Sequence, residues 1–287
     1  MSRSTHQSLA QALRDTAARL AQAGQTAARL EAELLLCAAT SLRRTALFAH
    51  SERPLKATEQ TAFEGLVARR LNGEPIAYLL RHRDFHALTL HSAPGALIPR
   101  PETELLVDWA LASLPADAPL HGADLGTGSG AIALALAAAR PKWMLYAVER
   151  DTAALAVAAA NARRLGAANV RLLRGDWLAG FAARSLHFVV ANPPYVRAGD
   201  PHLAQGDVRF EPRQALAAGV DGLAAVRAIV PQAAATLQPG GLLLLEHGWQ
   251  QGAEVRALLR ANGWCAIVTH RDLAGLERAT GANRPPC

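Results

Sequence analysis

Lysine is nearly missing from this chain: of 30 basic residues only Lys56 and Lys142 are lysine, the rest being arginine. A formal charge of +6 and a pI near 9.9 raise the question of nucleic acid. Yet there is no basic-aromatic stripe and no run of about five or six basic residues of the kind that marks a binding arm. The arginine and alanine skew reflects genome composition as much as selection for phosphate contacts, so the charge permits a partner near RNA without demanding direct nucleic-acid binding. Also missing is any apolar stretch of about 20 residues, the length a membrane-crossing helix needs. The segment Met1-Ser2-Arg3-Ser4-Thr5-His6-Gln7 leads into an amphipathic pattern instead of the apolar block of a signal peptide. A soluble, unexported, cytoplasmic protein with no membrane partner is expected. Cysteine is scarce: Cys37, Cys265 and Cys287 are odd in number and have neither metal-ligand nor redox spacing, which predicts reduced thiols and neither a structural disulfide nor a metal site. Internal repeats and low-complexity tracts are absent.

What is present falls into two textures, and 287 residues suit two domains at about 150 residues each. Leu9, Leu13, Ala17 and Leu20 recur at helical spacing, then Leu30, Leu34 and Cys37 after Gly24, then Phe63, Leu66, Val67 and Leu71 up to Asn72-Gly73. This predicts a small helical bundle over 1–74, which carries no chemistry of its own and serves either stabilisation or the docking of a macromolecular substrate. Glu74-Pro75 breaks the helix, and Phe85-His86-Ala87-Leu88-Thr89-Leu90-His91 alternates like a strand, giving a linker with a β-hairpin over 75–98. The third region, 99–287, alternates helices with apolar strands near 121–125, 143–148, 169–173, 186–191, 241–246 and 264–269. Alternation of this kind predicts an α/β fold with a doubly wound, mainly parallel sheet, whose ligands bind beyond the carboxyl ends of the strands.

The residues with chemistry sit at those ends. Asn192-Pro193-Pro194-Tyr195 follows the apolar run 186–191. Asn192 supplies a side-chain carbonyl, the prolines carry no backbone N–H, and the turn can leave main-chain carbonyls unpaired. Two acceptors of this kind match the two donors of a planar NH₂, and Tyr195 could stack on the flat group. A Pro-rich turn closing a buried strand is the plainer reading of the same four residues. Upstream, Asp124-Leu125-Gly126-Thr127-Gly128-Ser129-Gly130 opens onto the helical run from Ala131. Its third glycine falls two residues after the second, unlike the dinucleotide fingerprint, where the gap is three. In this it resembles the nucleotide loop of S-adenosylmethionine-dependent methyltransferases. About twenty residues on, Tyr146-Ala147-Val148 ends at Glu149, whose carboxylate can take both ribose hydroxyls. After the next strand, Gly175-Asp176-Trp177 places an acceptor and a flat ring where an adenine would lie. Asp176 could equally cap a helix and Trp177 fill a core.

Together with these motifs, several longer stretches resemble the bacterial peptide chain release factor glutamine methyltransferases, the PrmC or HemK family. They are Gly73-Glu74-Pro75-Ile76-Ala77-Tyr78, Leu97-Ile98-Pro99-Arg100-Pro101-Glu102-Thr103-Glu104-Leu105-Leu106-Val107, Asp200-Pro201-His202-Leu203, Gly206-Asp207-Val208-Arg209-Phe210-Glu211-Pro212 and Glu246-His247-Gly248-Trp249-Gln250-Gln251-Gly252. The resemblance implies a class I methyltransferase domain, S-adenosyl-L-methionine as cofactor with S-adenosyl-L-homocysteine as product, and class 1 release factors as partners. It implies that Gly126, Thr127, Gly128, Ser129, Gly130, Glu149, Asp176, Trp177 and Asn192 bind the cofactor. It also implies that Asn192, Pro193, Pro194 and Tyr195 hold the glutamine of a Gly-Gly-Gln motif, with Asn192, Pro193 and Tyr195 catalytic. Glu149 stands where the family often has Asp, so an altered grip with retained function is expected. The segment from Arg197 to Arg213 would form a substrate-facing wall or an ordinary surface loop. Arg100 and Glu102 would line the same cleft or begin a helix at Pro101. Three rivals stay open at this point: an amine methyltransferase acting on nucleic-acid bases, a cousin acting on a ribosomal-protein glutamine, and a binding module that keeps only the fold.

Overall fold

The computed structural model describes residues 7–285, so Met1–His6, Pro286 and Cys287 lie outside it. The chain divides into two compact units, Met1–Arg81 and His82–Cys287.

The first unit consists of helices α1 (Leu9–Gln22), α2 (Ala28–Thr40), α3 (Arg44–Ala49), α4 (Ala57–Leu71) and α5 (Ile76–Leu80). Ser8 caps α1 by accepting from the Gln11 N–H. Leu9, Leu13, Leu20, Phe63 and Val67 meet in one core at their helical spacing; in α2 it is Leu35 and Leu36 that are buried there, whereas the expected Leu30 is 42% exposed and Leu34 only half-buried. Two buried carboxylates are ion-paired in the same unit. Arg70, 2% exposed, donates to both oxygens of Glu31 at 2.7 and 3.0 Å, and Glu33 accepts from Arg29 and Arg44. Glu74-Pro75 ends α4 without ending the unit, because Pro75 sits immediately before a further short helix, where its fixed φ and missing N–H cost nothing.

The second unit opens with an antiparallel hairpin, β1 (His82–Phe85) and β2 (Leu88–His91), and a 3₁₀ turn at Pro101–Thr103 that leads into α6 (Glu104–Ser113). Then come β3 (His121–Leu125), α7 (Ala131–Ala139), β4 (Met144–Glu149), α8 (Thr152–Leu165), β5 (Val170–Arg174) and β6 (Leu186–Ala191). The chain ends with α9 (Ala224–Thr236), β7 (Leu237–Glu246), α10 (Gly252–Ala261), β8 (Cys265–Arg271) and β9 (Glu277–Asn283). The large sheet is seven-stranded in the order β5-β4-β3-β6-β7-β9-β8, parallel through β7, with β9 antiparallel to both of its neighbours. Strand residues alternate between two cores, as the pleat requires. Leu145, Phe188, Val190 and Leu244 meet α6 and α7 on one face, while Leu125, Val189, Leu243 and Leu245 meet α9 and α10 on the other.

Two features depart from the sequence reading. β9 was not anticipated: its buried residues Ala279, Thr280, Gly281 and Ala282 are small, and a Cβ on Gly281 would stand 2.7 Å from the Trp109 ring. β7 starts at Leu237, ahead of the expected 241, with a register irregularity between Leu186 and Phe188 of its neighbour that accommodates Pro239-Gly240. The strand order turns back at β3, flanked by β4 and β6, which opens a crevice at the carboxyl ends of these strands.

Candidate functional site

That crevice is a cavity of about 320 Å³. Its floor is the loop after β3, tied down by the Gly126 and Thr127 N–H groups, which both donate to the Val148 carbonyl of β4. Gly126, Gly128 and Gly130 have φ of +66°, +57° and +86°, a backbone region open chiefly to glycine. A Cβ on Gly130 would also stand 2.9 Å from the Leu134 side chain. Gly126 and Gly128 line the cavity with Glu149, Asp176, Trp177, Asn192 and Pro194. Thr127, Ser129 and Gly130 belong to the loop without lining the cavity: the Thr127 hydroxyl donates to Asp124 Oδ2 at 2.5 Å and the Ser129 carbonyl accepts from Asn161. They shape the loop from beneath. Trp177 packs against the core and also lines the cavity.

Three carboxyl groups surround this floor in different ways. Glu149 accepts the Gly128 N–H on Oε2 and the Asp151 N–H on Oε1, both at 3.0 Å, so it organises the loop as well as facing the cavity. Asp151 caps α8 and also lines the cavity, a residue the sequence reading passed over. Asp124 is 1% exposed; its Oδ2 accepts from Thr127 and from the Ala133 N–H, while its Oδ1 is buried with no hydrogen-bond partner among the described residues. Burial pushes its carboxyl up to about 6.

The acceptor motif continues directly from β6. Asn192 Nδ2 donates to Thr103 Oγ1 at 2.9 Å, which commits the amide N–H side and leaves Oδ1 as an acceptor. Pro193 is buried and does not line the cavity, and Tyr195 lines a neighbouring groove with Arg197, Gly248 and the half-exposed Trp249. The Tyr195 hydroxyl donates to Glu246 Oε1 at 3.4 Å. Glu246 is 1% exposed, and burial pushes it up to about 7. Burial, with the Glu246 charge beside it, raises the Tyr195 phenol well above its usual range. One further side chain ties the loops together: Gln251 Nε2 donates to the carbonyls of Tyr195 and Asp221, and its Oε1 accepts the Gly248 N–H. Thr103, Glu246 and Gln251 stand in sequence motifs that assign them no role. Their partners lie 51 to 89 positions away for Tyr195–Glu246 and Asn192–Thr103, and the only local signal is polar residues next to a strand end or a helix start.

The segment over 197–213 folds into 3₁₀ turns at Pro201–Ala204, Gly206–Phe210 and Arg213–Ala215. It is fastened by Glu211, whose buried carboxylate accepts the Ile98 N–H at 2.9 Å and pairs with Arg100. Pro212, Gln214 and Ala215 wall the cavity. Arg100 and Glu102 do not line it; Arg100 is engaged by Glu211, and Glu102 lies in the 3₁₀ turn before α6. Of the three cysteines, Cys37 and Cys265 are free thiols, and Cys287 lies outside the described residues. Among the described residues no helix is long and apolar enough to cross a membrane.

Comparison with known proteins gives this arrangement a family. A family model described as the PrmC N-terminal domain matches residues 11–80, and one described as the methyltransferase small domain matches residues 103–208. The release factor glutamine methyltransferase of Pseudomonas aeruginosa is 51% identical over 253 residues, 88% of this chain and 91% of its own length. That of Coxiella burnetii is 46% identical over 256 residues, 89% and 92%, and that of Escherichia coli 45% over 252 residues, 88% and 91%. Among solved structures, a ribosomal protein L11 methylase from Lactobacillus delbrueckii shares the fold, with a TM-score of 0.50 at 20% identity over 67% of this chain and 83% of its own. At 46% and 51% identity over 92% and 91% of the length of these relatives, the chain belongs to the release factor glutamine methyltransferase family of S-adenosylmethionine-dependent enzymes.

Proposed function

We propose that this enzyme methylates the side-chain amide nitrogen, N5, of the glutamine in the Gly-Gly-Gln motif of class 1 peptide chain release factors, in the cytoplasm. The observation that carries this reading is the commitment of Asn192 Nδ2 to Thr103 at the mouth of the glycine-loop cavity, which presents Oδ1 as an acceptor for an N–H. Among the described residues no hydrogen bond ends on the Pro193 carbonyl, so a second acceptor is at hand beside it. Gly126, Gly128, Glu149, Asp176 and Trp177 would hold the cofactor, with Thr127, Ser129 and Gly130 shaping the loop. The unpartnered Oδ1 of Asp124 suits a cationic ammonium near that loop. Bound S-adenosylmethionine supplies an electrophilic methyl carbon and departs as S-adenosylhomocysteine.

An amide nitrogen is a poor nucleophile because its lone pair is delocalised. Asn192 Oδ1 and the Pro193 carbonyl, by accepting both of its hydrogens, raise its electron density and fix the direction of the lone pair. Tyr195 holds the flat group in place. No strong base of the chain is needed, since an N-alkylated amide is acidic enough to release its proton to water. The contribution of the chain is therefore positioning, which can supply up to about 7–11 kcal/mol in favourable cases. The helical unit, with no cluster of reactive groups in its core, serves on this reading as a docking module for the protein substrate.

Transfer of labelled methyl to a purified class 1 release factor tests the reading, run beside the same factor with the glutamine of Gly-Gly-Gln changed to alanine, and beside ribosomal protein and RNA. Label on the intact factor alone is expected. Label on RNA or ribosomal protein instead would keep the acceptor chemistry and overturn the substrate.

A further inference from the structure

His247, immediately after β7, is fully buried and lines neither the cofactor cavity nor the groove beside Tyr195. Both nitrogens of its ring are nevertheless engaged. Nδ1 stands 3.0 Å from the Gly248 carbonyl oxygen, and Nε2 stands 2.8 Å from Thr280 Oγ1 on β9. A carbonyl can only accept, so Nδ1 carries a proton; burial favours the neutral ring, which leaves Nε2 to accept from the Thr280 hydroxyl. With that proton committed, the 2.9 Å bond between Thr269 Oγ1 and Thr280 Oγ1 takes its hydrogen from Thr269. Thr269 in turn accepts at 2.8 Å from Arg256 of α10, a guanidinium that can only donate and that is paired with Glu277 at 2.9 Å. A donor at one end and a carbonyl at the other leave one direction for every proton between them. The chain arrives at Gly248, whose own N–H donates to Gln251 Oε1 at 2.9 Å, and Gln251 Nε2 donates to the Tyr195 carbonyl at 3.1 Å. Gly248 is thus held at its carbonyl by His247 and at its N–H by Gln251, one bond away from the acceptor turn.

We infer that His247 is a positioning residue for methyl transfer: its Nδ1–H fixes the loop after β7 at Gly248 and, through Gln251, the acceptor turn at Tyr195. The inference rests on the reading of Asn192-Pro193-Pro194-Tyr195 as the turn that receives the substrate amide. His247 touches neither substrate nor cofactor and acts only through Gly248 and Gln251. A rigid ring with a donor on one nitrogen and an acceptor on the other ties β9 to this loop in a single side chain. Orientation is what the transfer requires of the chain, and a misplacement of about 1 Å can lower a rate about 100-fold.

The test uses the full chain with a class 1 release factor and labelled cofactor, comparing His247→Asn, His247→Gln, Gln251→Met, the double variant His247→Gln/Gln251→Met, and Asn192→Ala. Asparagine sets an amide donor close to the place of Nδ1, whereas glutamine reaches toward Thr280 and leaves the Gly248 carbonyl without its donor. His247→Gln is expected to lower kcat at least about tenfold. Cofactor Kd by titration calorimetry should stay within about twofold, since neither His247 nor Gln251 lines the cofactor cavity. His247→Asn should keep a clearly higher kcat than His247→Gln even where their urea midpoints agree. Gln251→Met should lower kcat, and the double variant should be no worse than the poorer single, because the two residues act as one unit. If Asn192→Ala is inactive while His247→Gln transfers normally, the positioning role is wrong and the acceptor reading stands. If Asn192→Ala itself transfers normally, the acceptor reading fails and the inference falls with it. Equal kcat in His247→Asn and His247→Gln would show that the ring only fills space and would overturn the inference, as would single losses that multiply in the double variant. Should the His247 variants not fold, Gln251→Met decides: a lowered kcat at unchanged cofactor Kd supports the inference, and an unchanged kcat overturns it.

Discussion

In the helical unit Glu31 and Glu33 are buried against guanidinium groups, and none of their carboxylate oxygens is left without a partner. In the sheet unit Asp124 and Glu246 are buried more deeply, have no ion-pair partner among the described residues, and each leaves one oxygen unsatisfied. Glu211 shows that the sheet unit can pair a buried acid when the acid is there to fasten a segment, since it meets both Arg100 and the Ile98 N–H. The difference separates two uses of buried charge. A paired carboxylate fixes how helices or loops meet; an unpaired one is held ready for something else, at a cost in stability that the surrounding fold must bear.

The strongest way to break this contrast is Arg70→Met. If the Arg70–Glu31 pair is structural, removing its cation strands Glu31 in the core and should cost about 3–5 kcal/mol, read as a lower urea midpoint, with much of the loss recovered in Arg70→Met/Glu31→Leu. A single variant as stable as the parent would erase the distinction. Asp124→Asn should act in the opposite direction. The folded carboxyl of Asp124 titrates at about 6 against an ordinary 3.8. Its favourable share of stability is therefore complete below the ordinary value and lost as pH rises through the folded one. Asparagine removes that loss: melting temperature should rise at pH 8, by an amount worth about 1–3 kcal/mol, and stay level at pH 4, while cofactor affinity falls. The smallest effect belongs to Glu149→Asp. Glu149 is only partly buried and already accepts two N–H groups, so shortening it should shift cofactor affinity by less than about tenfold and leave the urea midpoint alone.

How much of this was legible from the sequence depended on whether the signal was local. The apolar runs of β3, β4 and β6 announce themselves, and Asp124, Glu149 and Asn192 mark where each run stops, so the crevice and part of its lining could be placed in advance. β9 could not, because a strand of Ala279, Thr280, Gly281 and Ala282 packs through close approach to Trp109 instead of through large side chains. The short helices α3 and α5 hold too few residues to show a period. Thr103 and Glu246 were unreadable for another reason. Each meets the acceptor motif only through the fold, Thr103 bonded to Asn192 and Glu246 to Tyr195, and nothing in the neighbouring residues of either reveals its partner.

Gln251 gives the acceptor motif a mechanical property. One amide, with all three of its described bonds in use, joins the loop after β6, the turn at Asp221 and the loop after β7. Gly222 adds to the stiffness, for a Cβ there would stand 2.3 Å from the Tyr195 carbonyl oxygen. Loops fastened through a single joint do not drift separately. A push on Trp249, which stands next to the fastened Gly248, is transmitted to Tyr195 across one side chain, so the exposed rim of the groove and the acceptor turn behave as a lever with a short arm.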